Sequence, residues 1–138
     1  MAAGYLLDTN VVSETRKTRA ALGVTAFLAA VAAPELFLSV LTLGELRKGV
    51  AMRRRTAPIA ARRLGAWVDG IETLFSDRVL PVDMAAARIW GELSVGRALP
   101  VIDTLIAATA IACGLTLVTR DTRDVAATGV ALFDPWQS

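Results

Sequence analysis

Gly4-Tyr5-Leu6-Leu7-Asp8-Thr9-Asn10 sets the frame for the whole chain: an apolar run of strand length breaks off at a carboxylate. The pattern returns near the other end, where Leu115-Thr116-Leu117-Val118-Thr119 runs into Arg120-Asp121. Open parallel sheets gather ligands outside the carboxyl ends of their strands, where neighbouring exits meet although the residues are far apart in sequence. Asp8 and Asp121 are therefore expected to be neighbours.

A short helix is expected from near Ser13 and another over about Ala20 to Val31. Leu36 to Val40 reads as a second strand, and Thr42-Leu43-Gly44-Glu45 matches a capping box that opens a helix toward Met52. Leu64, Trp67, Val68, Ile71, Leu74 and Phe75 have the spacing of one buried helix face, with Arg62, Arg63, Asp69 and Glu72 outward. Val79 to Val82 reads as a strand whose Pro81 suits a sheet edge, and Asp83 caps a helix carrying Ile89, Trp90 and Leu93. Asp103-Thr104 opens the most apolar helix, Leu105 to Cys113, closed by Gly114; Val130 to Phe133 supplies a last strand. Short strands alternating with helices imply an α/β fold on a parallel sheet.

A chain of 138 residues is expected to form one domain over 1–138, with apolar residues enough for a real core. Its 15 Lys and Arg against 13 Asp and Glu leave a charge of only +2, so nucleic acid is a plausible partner but not one that charge demands. The absence of histidine is more decisive, because it removes imidazole acid–base chemistry and histidine-containing zinc sites. The lone Cys113 has no disulfide partner and is expected to be a buried, inert thiol. No secretion leader is read, since Asp8 interrupts the first apolar run, and Pro34-Glu35 divides the Ala20 to Gly44 stretch that would otherwise suggest a membrane span. A cytoplasmic protein with no membrane association is the expectation.

Read singly, the acids have ordinary roles: Asp8 in a turn with Asn10, Glu45 in a capping box, Asp103 as a helix cap. Gathered at one sheet edge, Asp8, Glu45, Asp103 and Asp121 would repel one another unless cations neutralised them. Oxygen-only ligands select Mg²⁺ or Mn²⁺, which keep waters and leave room for phosphate oxygens, as phosphodiester hydrolysis requires. Arg16, Lys17 and Arg19 follow Asp8, Arg47 and Lys48 follow Glu45, and Arg120 and Arg123 surround Asp121. Those cations would suit a polyanionic substrate, whereas Arg53-Arg54-Arg55 reads as solvated surface. Trp67 and Trp90 sit at core spacing and are not read as base-stacking platforms.

The run from Leu6 to Glu14, the run Leu41-Thr42-Leu43-Gly44-Glu45-Leu46-Arg47-Lys48-Gly49-Val50, the Asp103 to Ala110 helix and Leu117 to Asp121 together resemble the PIN-domain ribonucleases, specifically the toxins of bacterial VapBC and FitAB toxin–antitoxin pairs. The resemblance covers essentially the whole chain. It implies metal-binding roles for Asp8, Glu45, Asp103 and Asp121, with Asn10 and Thr119 in support. It also implies a PIN-like three-layer fold with a five-stranded parallel sheet, Mg²⁺- or Mn²⁺-dependent endoribonuclease activity and homodimers. A cognate VapB- or FitA-type antitoxin would inhibit the toxin and carry it to operator DNA. Members of the family place the fourth acid either at Asp121 or three residues later, at Asp124; the position nearer the strand exit favours Asp121. Two other readings remain: a non-catalytic interaction module on the same fold, and a receiver- or phosphatase-like domain using Asp8. The second expects a positioned lysine, and neither Lys17 nor Lys48 follows a strand.

Overall fold

A computed structural model describes residues 4–137. Five short strands, β1 (Tyr5–Leu7), β2 (Leu36–Ser39), β3 (Val79–Leu80), β4 (Thr116–Val118) and β5 (Leu132–Phe133), form one sheet in the order β3-β2-β1-β4-β5. Every pairing is parallel, with Leu6 beside both Phe37 and Leu117. Because the chain steps from β1 outward to β3 and then crosses to β4 on the other side, the strand order reverses between β1 and β4. That reversal is where an open α/β sheet has its crevice.

Alternation along each strand feeds two cores, as parallel strands covered on both faces require. Leu7, Leu36, Leu38 and Val118 enter one core with Val11 and Val12 of α1 (Thr9–Glu14), Val24 of α2 (Leu22–Ala30), Leu46 and Val50 of α3 (Val40–Arg54) and Val68 of α4 (Pro58–Leu74). Leu6 and Leu117 enter the other with Ile106, Ala107 and Ala110 of α6 (Val101–Cys113) and Val125 of α7 (Thr122–Val125). The remaining helix, α5 (Met84–Leu93), packs on α6. This is the expected three-layer, five-stranded parallel architecture. Small side chains let α6 lie close on the sheet, and Gly114, at φ +66°, ends it in the left-handed conformation that glycine adopts without a Cβ penalty. Gly4 is required for another reason: a Cβ there would lie 2.7 Å from the Phe37 ring and 2.8 Å from the Glu35 carbonyl oxygen.

Several local expectations are corrected. The first helix starts at Thr9 rather than near Ser13, because Asp8 itself is extended and its carboxylate takes the Thr9 N–H. The cap of α3 is Ser39, whose hydroxyl accepts from the Leu41 N–H, so Thr42 and Glu45 lie inside the helix and form no capping box. Likewise α6 opens at Val101 after Pro100, which puts Asp103 in its first turn rather than at its cap. Cys113 is exposed, since it sits on the last turn of α6, beyond the sheet-facing stripe. Leu74, the last residue of α4, is 60% exposed, so the buried face of that helix stops short of it. Among the described residues no helix is long and apolar enough to cross a membrane.

Candidate functional site

Asp8 leaves β1 at the strand-order reversal and is only 7% exposed. One carboxylate oxygen accepts from the Thr9 N–H at 2.8 Å; the other accepts from the Thr119 hydroxyl at 2.7 Å. Burial nevertheless pushes its pKa up, against the two hydrogen bonds, and the nearby Glu45 and Asp121 charges push the same way.

Thr119 and Asn10 tie Asp8 to Asp121. Besides donating to Asp8, the Thr119 hydroxyl accepts from the Asp121 N–H at 3.0 Å. The Asn10 amide donates to Asp121 Oδ2 at 3.0 Å and lies 3.4 Å from both Asp8 Oδ2 and Thr119 Oγ1. The two strand exits are thus neighbours, linked by the two polar residues that the resemblance implies as support. Glu45 is joined through Thr9, whose hydroxyl donates to Glu45 Oε1 at 2.5 Å and lies 3.3 Å from Thr42 Oγ1.

Asp103 faces the same place from α6. Its pKa rises to about 6, first through burial and then through Asp8, Glu45, Asp121 and Asp124. All four expected acids, with Thr9, Asn10 and Ser13, line a hollow of about 380 Å³. Asp124 does not line it and acts on Asp103 by charge from α7. The donors are all oxygen, which fits a hard divalent cation. Among the described residues no three carboxylates already close on one ligation point, so an ion here would retain water ligands. Asn10 Oδ1 is buried without a hydrogen-bond partner, an additional acceptor in this network.

The basic residues separate into different settings. Arg16 and Lys17 line an adjoining hollow, with Lys17 2.9 Å from Glu14. Arg47 is clasped by Asp69 at 2.6 Å and Glu72 at 2.8 Å and lines a different hollow, so the outward acids of α4 are its partners. Arg120 stacks on Trp136, 4.4 Å from the ring centroid. Lys48 and Arg123 are exposed on α3 and α7, and Arg53 to Arg55 are exposed as expected. Sequence reasoning missed Thr9, Thr42 and Ser13. The available signal was helical spacing: Thr42 precedes Glu45 by three residues, on one helix face.

The PIN domain family model matches residues 5–129, and the chain belongs to that family. It is 36% identical to toxin FitB of Neisseria gonorrhoeae, over 95% of this chain and 97% of that protein. It is 37% identical to VapC ribonuclease Y4jK of Sinorhizobium fredii, over 96% of this chain and 97% of that protein. A solved structure of FitAB bound to an IR36 DNA fragment superposes with a TM-score of 0.80 at 33% identity, covering 96% of this chain and 95% of the matched one.

Proposed function

We propose that this chain is a cytoplasmic endoribonuclease toxin that hydrolyses RNA phosphodiester bonds with Mg²⁺ or Mn²⁺ and is neutralised by a cognate VapB/FitA-type antitoxin. The observation that carries this reading is the meeting of Asp8, Glu45, Asp103 and Asp121 in one hollow at the strand-order reversal. Relatives named as a ribonuclease and a toxin over nearly the full length support the substrate and the biological role. The intact set of acids favours catalysis over a purely structural module.

When bound, a divalent cation neutralises phosphate charge and lowers the pKa of the attacking water. The chain's own residues prepare that place. Thr119 and Asn10 fix the orientations of Asp8 and Asp121, and Thr9 holds Glu45. Burial and the neighbouring acids push Asp103 up to about 6 and raise Asp8 as well, so both hold their protons more tightly than ordinary carboxyls until a cation balances the charge. A homodimer and an antitoxin that bridges to operator DNA are part of the proposal; the FitAB structure on DNA supports the second. An arginine or lysine of the antitoxin entering the acidic hollow would inhibit by charge complementarity.

RNA cleavage by purified protein tests the reading. It should require Mg²⁺ or Mn²⁺, stop with excess EDTA and leave 5′-phosphate and 3′-hydroxyl ends. Cleavage that persists in EDTA, or 2′,3′-cyclic phosphate ends, would sink direct hydrolysis.

A further inference from the structure

Beside the acidic hollow lies a second one, of about 330 Å³, built on different chemistry. Leu46, Leu64 and Trp67 supply apolar surface, Arg16 and Lys17 supply cations, and Thr9, Ser13 and Glu45 line both hollows. The two hollows therefore adjoin along those three residues. Trp67 is half-buried: it packs against the core and also faces this hollow. Core spacing in the sequence thus does not prevent it from offering a surface to a ligand.

Resting on the RNA-cleaving reading above, we propose that this second hollow is the subsite for a nucleotide next to the scissile phosphate, with the base against Trp67 and the adjoining backbone phosphate at Arg16. Three observations favour a nucleotide. The volume is at the lower end for small-ligand pockets, enough for one residue of a polymer and too little for an extended ligand. An aromatic ring with neighbouring cations is how proteins hold single-stranded nucleic acid, because every base has a stacking face and every linkage a negative charge. Of the two cations, Lys17 is engaged with Glu14, while the Arg16 side chain has no hydrogen-bond or ion-pair partner among the described residues, which leaves its guanidinium for phosphate. The walls shared through Thr9, Ser13 and Glu45 then put the next phosphate of the chain over the acids.

Gly49 offers a clean way to close the space. It lines the hollow from α3, and a Cβ added there meets nothing within 4 Å. Replacing a helical glycine also favours the helix, so Gly49→Leu should fill the subsite with a melting temperature equal to or above wild type.

The test has a binding arm and a cleavage arm. Adenosine and uridine 5′-monophosphate, titrated in Mg²⁺, should quench tryptophan fluorescence in the wild type. Trp67→Phe should remove most of that change, Gly49→Leu should weaken binding at least about 10-fold, and Arg16→Ala should erase the advantage of the monophosphate over adenosine. In the cleavage arm, one abasic position beside the cut should lower wild-type kcat/KM by about 5- to 150-fold, the range for loss of one base–aromatic stack, and should cost Gly49→Leu nothing further. No quenching by either nucleotide, or Gly49→Leu binding and cleaving as wild type does, overturns the proposal. Inhibition by the antitoxin that is lost in Gly49→Leu, with no nucleotide binding, assigns the hollow to the protein partner and equally overturns it. Nucleotide binding that follows these variants without any RNA cleavage supports the subsite and strikes the enzymatic reading instead.

Discussion

Asp8 and Glu14 flank the same short helix, one before its first residue and one at its last, and they are about equally buried at 7% and 5% exposure. Their chemistry is opposite. Glu14 is paired with Lys17 at 2.9 Å and accepts the Ala21 N–H at 2.9 Å, and its pKa is lowered first by the Lys17 hydrogen bond and then by that of Ala21. Asp8 has neutral donors and acidic neighbours, and burial raises its pKa. A buried carboxylate with its own cation fastens the chain, whereas one among like charges carries uncompensated charge, the setting from which the proposed cation site is argued. Glu14 joins the end of α1 to the start of α2, while Asp8 opens the site.

The largest effect should come from removing charge at the second kind of acid. Asp8→Asn or Asp103→Asn is expected to cut Mg²⁺-dependent RNA cleavage by more than the ~10–100-fold typical of residues that only support a metal site. The metal-free melting temperature should stay equal or rise, because repulsion is relieved. Unfolding of Asp103→Asn would instead make it a structural residue.

Next comes the contrast within β4 to α7. Asp121 lines the hollow and accepts from Asn10, whereas Asp124 stands outside it. At saturating Mg²⁺, Asp121→Asn should lose much more cleavage than Asp124→Asn, with both folded. Matched kinetics showing the larger loss at Asp124 would move the fourth ligand there.

Glu14→Gln should lower the melting temperature through the loss of charge at the α1–α2 junction, with a smaller effect on cleavage than Asp8→Asn. Equal catalytic damage from Glu14→Gln and Asp8→Asn would erase the distinction between fastening and functional acids.

The smallest expected signal is a pair of opposite pH slopes in metal-free protein. Asp103 has a raised pKa, so its stabilising contribution is full below the unfolded value near 3.8 and is lost as pH rises through about 6. Glu14 has a lowered pKa, so its contribution is present above the unfolded value near 4.5 and is lost as pH falls through the folded value. Melting curves in EDTA should therefore show Asp103→Asn removing a decline between pH 4 and 6, and Glu14→Gln removing one on the acid side. Unchanged curves in both variants would contradict the assigned environments.

Much of the scaffold was legible because its signals are local. Apolar runs of three to five residues marked the strands, Gly114 marked the end of α6, and Pro81 marked β3 as an edge, since each depends on backbone chemistry within a few residues. The ordered motifs, through family resemblance, also singled out the four acids that line one hollow. Helix starts were less legible, because Asp8 and Ser39 are better caps in three dimensions than the residues whose spacing matched a capping pattern.

By itself, the sequence determined a parallel α/β chain with acids at strand exits and no histidine to serve them. Tertiary structure decided which charges are free. It carried Asn10 to Asp121 across 111 positions and Thr9 to Glu45 across 36, gave Arg47 to Asp69 and Glu72, and opened a hollow against Trp67. The first two follow from β1 lying between β2 and β4, a long-range choice of strand order that the local pattern of a short segment does not encode, and the pairing of Arg47 follows from α3 packing on α4.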